Sequence, residues 1–210
     1  FQFCWLNFNQ EFCHGGNHYL ENLISLIMVG IQFKGKFAKN IVKRSIYNLN
    51  KELNKQVLTD GGHEERSAAY HILILDRLVE LACFMEITYQ SSPAWLLVHI
   101  KRMTKWCECI KLMKNKTPLF NDSAQDDYYN INQIINFSNA FIERKYINLR
   151  GLRGRLLLII FGDKYNLNYV HKENKYKDSL IDLPDTGWTI LRPGNGWELI
   201  FKCGESCPRH

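Results

Sequence analysis

No apolar run in this 210-residue chain is long enough to cross a bilayer as a helix. The opening residues, Phe1-Gln2-Phe3-Cys4-Trp5-Leu6, lack both an initiating Met and the basic-then-apolar layout of a signal peptide. Gly204 to His210 carries neither a helix stop nor a strand close, so both ends read as cut from something longer. A basic arm is missing too. The 27 Lys and Arg outnumber the 21 Asp and Glu, for a net charge of +6, but they are spread along the chain. That spread argues against a dedicated nucleic-acid tail, while the sign suits an acidic partner. The seven cysteines are odd in number and follow no disulfide scaffold, and unpaired thiols argue against an oxidising compartment. Cys203, Cys207 and His210 have part of a metal-ligand spacing, but the partner cysteines are missing and no zinc site is expected there.

What is present is a core-forming composition: 46% of residues are hydrophobic, which rules against disorder. Tyr19 to Val29 places Leu20, Leu23, Ile24 and Ile27 at helical period, and Gly30 closes the run. A second helix is predicted over Lys34–Val57 on the stripe Phe37, Ile41, Ile46, Leu49 and Leu53. Ser67 suits the N-cap of a third, carrying Ile72, Leu75, Leu78, Val79, Ala82 and Met85. Ser91-Ser92-Pro93 breaks the pattern and starts a fourth, with Leu96, Leu97, Ile100, Met103, Trp106 and Ile110 inward. Pro118 to Asp127 reads as a polar loop, and Ile131 to Arg144 as a fifth helix. Long helices with short connections imply antiparallel helical hairpins, as in a bundle or an α/α toroid, without a strict solenoid repeat.

The character changes after about Lys145. Leu156 to Phe161 fits either a strand or a buried helix, and Tyr165 to Asp178 is loop-like. Gly187 to Arg192 and Trp197 to Lys202, flanking Pro193-Gly194-Asn195-Gly196, predict a β-hairpin. The expected fold class is therefore mainly α, with a β region opening near the end.

Two polar clusters stand at helix starts. One is Asp60-Gly61-Gly62-His63-Glu64-Glu65-Arg66-Ser67-Ala68-Ala69-Tyr70-His71. The other is His14-Gly15-Gly16-Asn17-His18-Tyr19-Leu20-Glu21-Asn22. Asn, His, Arg and Tyr are the groups needed to hold a carboxylate and move a proton. Each has an ordinary alternative. Asn17 suits a helix cap. Tyr70 suits the core with a satisfied hydroxyl. His71, adjoining Tyr70, points elsewhere on the helix. Gly61 and Gly62 suit positive φ in a turn, and Glu64, Glu65 and Arg66 suit a solvated helix start. Trp95, Trp106, Tyr128 and Tyr129 could stack on sugars, although Trp106 lies on an apolar stripe. Asn121 and Asp122 suit an Asx turn.

Taken in order, Gly16–Asn22 and Asp60–His71 resemble the paired motifs of the heparinase II/III superfamily of polysaccharide lyases. Phe120-Asn121-Asp122-Ser123 is similar to a later element of that family, and Asp185-Thr186-Gly187-Trp188 to the start of its C-terminal β-sandwich. The Glu64-Glu65 pair has Glu where Phe is usual, and Ala68-Ala69 stands for Pro-Met. The resemblance implies an incomplete α/α toroid over residues 1–145, a divergent connector over 146–180, and the start of a β-sandwich over 181–210. It implies β-elimination at a uronic acid of an acidic polysaccharide. Asn17 would polarise the sugar carboxylate with His18 beside it, and Tyr70 would be the acid and also a candidate base. Arg66, His63, His71 and Asn121 would contact substrate. Family members continue into a His-rich sandwich segment, where a zinc or calcium site is possible; no cofactor is evident within this chain. They are usually exported to the periplasm or cell surface. On this reading the chain alone has little or no lyase activity. The alternatives are a glycoside hydrolase on a similar toroid, with Glu21, Glu64, Glu65 or Asp122 as candidate carboxylates, and a non-catalytic, glycan-binding remnant. The oligomeric state is not legible.

Overall fold

The computed structural model describes residues 15–112, 115–124, 130–144, 149, 151–162, 179–194 and 196–205. They form six helices and a three-stranded antiparallel sheet. In chain order the helices are α1 (Gly16–Gly30), α2 (Lys36–Gln56), α3 (Ala68–Tyr89), α4 (Ala94–Ile110), α5 (Ile131–Ile142) and α6 (Gly151–Phe161). The strands are β1 (Ser179–Leu183), β2 (Trp188–Arg192) and β3 (Leu199–Lys202). Among the described residues, no helix is long and apolar enough to cross a membrane.

Helix α3 is the centre of the helical part, packing against α1, α4, α5 and α6. It is apolar on nearly every side, the pattern of a helix surrounded by others. Ser67 caps its start, accepting from the Tyr70 N–H at 3.5 Å, as its position before the apolar run predicts. Gln90 ends it in the left-handed conformation. Helix α2 buries Ile41, Leu49 and Leu53 of its predicted stripe, and Ile46 is half-buried. Phe37 departs from that stripe: it sits in the first turn and is 56% exposed, and Ala38 takes the inward position. Leu156–Phe161, ambiguous between strand and helix, is the second half of α6. A buried Arg153–Asp76 pair, with two hydrogen bonds of 2.8 Å, ties that helix to α3. The connector expected over 146–180 thus contains a helix and the first residues of β1, while residues 163–178 lie outside the described residues.

The predicted hairpin is β2–β3, and β1 adds a third strand on the far side of β2. Register pairs Leu183 with Trp188, Ile181 with Ile190, and Ile190 with Ile200, which gathers one apolar face inward. Leu180, Leu199 and Phe201 point away and are exposed. Arg192 is buried, and its Nη2 donates to the carbonyls of Cys109 and Lys111, both at 2.9 Å. Those are orphan carbonyls at the C-terminal end of α4, where a cation also offsets the helix dipole. Gly187 makes the β1–β2 turn at φ 72°, with Cys203 O only 2.3 Å from where a Cβ would sit.

Candidate functional site

The segment from Asp60 to Tyr70 is a hub on which three distant segments dock. Its turn is folded by its own main chain: Leu58 N donates to Gly62 O at 2.8 Å, and Val57 pairs with His63 as an isolated antiparallel bridge. Asp60 Oδ1 accepts from the Gly62 N–H at 2.9 Å, an Asx turn. The two glycines differ in reason. Gly61 has φ 93°, and an added Cβ would lie 2.5 Å from Arg102 O. Gly62 does not need positive φ; a Cβ there would meet Thr186 Cγ2 at 2.2 Å and Trp106 Nε1 at 2.6 Å. Its lack of a side chain serves close approach, a correction to the expectation that both glycines serve φ.

The sheet docks on this turn through Asp60. Its Oδ2 accepts from both the N–H and the hydroxyl of Thr186, each at 2.8 Å. Asp60 N donates back to Asp185 Oδ2 at 3.1 Å. Behind it, Trp106 Nε1 donates to Thr186 Oγ1 at 3.1 Å, and Trp106 meets Trp188 edge-on at 5.4 Å between centroids. Trp106 is therefore core and not a sugar platform. Trp95 is half-buried against the core, and Tyr128 and Tyr129 lie outside the described residues.

The upstream motif docks through Glu65. Asn17 is the second residue of α1, whose N-cap position is Gly15, so the expected capping by the Asn17 side chain does not occur. Instead the Asn17 N–H donates to Glu65 Oε1 at 2.9 Å. A carboxylate borrowed from the other motif thus satisfies an orphan amide at the positive end of α1. Asn17 is buried and His18 exposed. Glu21, one turn on, has its carboxyl pushed above the usual range by burial, against the opposing pull of Arg77.

The Phe120–Ser123 element docks on the remaining side. Ser123 Oγ bonds Ser67 Oγ at 3.1 Å and accepts from the Ala69 N–H at 3.2 Å. Tyr70 is half-buried, and its hydroxyl donates to Asp122 Oδ2 at 3.5 Å. Asn121 Nδ2 donates to Arg66 O at 3.2 Å, while Lys202 Nζ donates to Asn121 Oδ1 at 2.7 Å. An ammonium only donates, which fixes the orientation of the amide. Arg66 holds φ 52°, unusual for a residue with a side chain. Its guanidinium donates to Glu205 O at 2.6 Å and to Glu205 Oε2 at 3.2 Å.

Of the seven residues singled out in sequence, Asn17, Arg66, Tyr70 and Asn121 are joined to the hub by these bonds, and His18 stands exposed on α1 beside Asn17. His63 and His71 are inside the protein. His63 Nε2 bonds Gln56 Oε1 at 3.1 Å. His71 Nε2 bonds Met103 O at 3.0 Å and its ring stacks on Trp106 at 4.3 Å. Burial brings the His71 pKa down to about 4, against the opposing hydrogen bond to Met103. A carbonyl only accepts, so Nε2 carries the hydrogen; Nδ1 is buried with no partner. Sequence reasoning did not find Gln56, Lys202 or the role of Glu65. Glu65 lies inside the motif and was legible only as part of a helix start or as a candidate hydrolase carboxylate.

No described cluster of three or more His, Cys, Asp or Glu side chains could hold a metal ion. Cys203 is exposed, and Cys207 and His210 lie outside the described residues.

Residues 5–149 match the family model described as Heparinase II/III N-terminus. No curated protein and no solved structure matches the chain. The matched span covers more than half of the chain and includes both Asn17-His18 and the whole Asp60–His71 hub, so the chain belongs to the heparinase II/III-like family.

Proposed function

We propose that the protein is a polysaccharide lyase-type protein that cleaves acidic, uronic-acid-containing glycans by β-elimination, with only weak turnover by this chain alone. The observation that carries this reading is the bond from Asn17 N to Glu65 Oε1, which ties the carboxylate-binding motif to the turn that presents Tyr70. In the reaction a base removes the C5 proton, the C4–O4 bond breaks, a C4=C5 double bond forms, and O4 takes up a proton. Asn17 and His18 would hold the sugar carboxylate and stabilise the enolate-like charge, which is the larger part of such catalysis. Tyr70 would protonate O4. Its hydroxyl already acts as a donor, toward Asp122, which suits the acid's role. Arg66 would grip a substrate carboxylate by exchanging Glu205 for it, since Glu205 is the exposed partner of that pair. Asn121 lines the same side. His63 and His71 would serve from behind, by holding the turn and α3.

The same reading takes the helices as part of an α/α toroid over residues 1–145 and the sheet as the start of a β-sandwich from 181, with a connector between. It also places the protein in the periplasm or outside the cell, as resemblance to the family implies. Incubation with uronic-acid polymers tests the function. Turnover should be slow, and the product that forms should carry a C4=C5 double bond and absorb in the ultraviolet. New reducing ends without that absorbance would make the protein a hydrolase, and binding with no product of either kind would make it a glycan-binding module.

A further inference from the structure

We infer that Gln56 and His63 are positioning residues for Asn17, acting through Glu65 along one buried line of hydrogen bonds. The line begins on α2. Gln56 Nε2 donates to Glu52 Oε2 at 2.9 Å, and a carboxylate there can only accept. The amide oxygen of Gln56 is thereby turned toward His63 Nε2, 3.1 Å away, so that Nε2 carries the ring hydrogen. Nδ1 is left bare and accepts from the Glu65 N–H at 3.3 Å. Glu65 Oε1 then accepts from the Asn17 N–H at 2.9 Å. Gln56, His63 and Glu65 are 0, 1 and 2% exposed, so water does not compete for these bonds. A second tie runs parallel: Glu64 N donates to Gln56 O at 2.7 Å.

One choice of amide orientation on α2 thus sets a histidine tautomer, which sets the main chain of Glu65, which sets the first turn of α1. The Asn17 amide lies in that first turn, where no helical carbonyl is available, so its protection depends on Glu65. All three are buried, so their part is to hold Asn17 and not to meet the substrate. Their part in catalysis rests on the lyase reading above, but the line of bonds does not.

The test uses the full chain and the variants Gln56→Met and Glu65→Ala, each checked for folding by thermal melting. Ring ¹⁵N NMR of the wild type should show His63 as the Nε2–H tautomer alone. In Gln56→Met, which keeps the length of the side chain but not its oxygen, the tautomers should mix. Asn17 amide exchange should accelerate about tenfold, the size expected for one lost hydrogen bond, while α4 amides stay unchanged. Glu65→Ala should accelerate Asn17 exchange at least as much. On a uronic-acid polymer, Gln56→Met should lower kcat more than it raises KM. A wild-type Nδ1–H tautomer would overturn the inference, as would Asn17 exchange that responds to Glu65→Ala but not to Gln56→Met. Wild-type protein that releases product without the C4=C5 double bond would sink the lyase reading instead, with the tautomer and exchange results still deciding this one.

Discussion

Asp60 and Thr186, 126 residues apart, are joined by two 2.8 Å hydrogen bonds to a single carboxylate oxygen. Asp60→Ala should cost about 2–3 kcal/mol, because it leaves the Thr186 N–H and the Gly62 N–H without their acceptor and the Thr186 hydroxyl with only the longer bond to Leu183 O at 3.4 Å. Asp60→Asn keeps an oxygen and should cost about 1 kcal/mol. Urea denaturation measures both. Equal costs for the two variants would show that shape at this position matters and hydrogen-bond acceptance does not.

Gly62 is squeezed between Thr186 and Trp106, and Gly62→Ala should destabilise by about 1–3 kcal/mol through overpacking. Thr186→Ser removes the Cγ2 nearest the added methyl while keeping the hydroxyl. In a double-mutant cycle the Ser change should recover part of the Ala cost, a coupling of about 0.5–1 kcal/mol. Strict additivity would place the strain elsewhere.

His71 is neutral and buried, with its folded pKa brought down to about 4. In the unfolded chain a His titrates near 6.5. Between these values the unfolded state binds more protons, so His71 lowers stability as pH falls from about 6.5 and reaches its full effect below about 4. The full effect is on the order of 3 kcal/mol. His71→Gln, which can still donate to Met103 O, should remove this component. The measurement is the wild-type minus variant difference in unfolding free energy against pH. A difference that does not change over that window would contradict the neutral, buried placement.

Tyr70→Phe removes a hydroxyl that meets Asp122 only at the long limit of a hydrogen bond, so folding should be nearly unaffected. Turnover of a uronic-acid glycan should fall about 10²–10⁴-fold, the usual size of a general acid's contribution. A loss of binding with kcat unchanged would move Tyr70 from proton transfer to substrate contact.

Much of the helical part was legible because helices write their period into the sequence. Leu23, Ile27, Leu75, Leu78, Ile100 and Met103 recur at helical spacing and are all buried. Ser67 marked the start of α3, and Pro193-Gly194 marked the β2–β3 turn. Phe37 misled because a first-turn residue overhangs the packed face. The strand β1 was missed because Ser179-Leu180-Ile181-Asp182-Leu183 puts two apolar residues side by side, which blurs the alternation. The motifs named their own residues but not their partners. That Glu65 would hold Asn17, or that Lys202 would reach Asn121, depends on contacts between distant segments, which leave no local trace.

The hub draws its ties from partners 48, 126 and 139 residues away in the chain. Contacts of such long sequence separation form late, because closing a large loop costs entropy before the bonds repay it. The helices can therefore be complete while Asp60 still lacks Thr186 and Arg66 still lacks Glu205. Opening of the small sheet alone would strip the hub of Thr186 and Glu205 while leaving the helical core and the Asn17–Glu65 bond standing. Whatever the hub does through Asp60 and Arg66 is switched on by the last steps of folding and is the first thing lost when folding loosens.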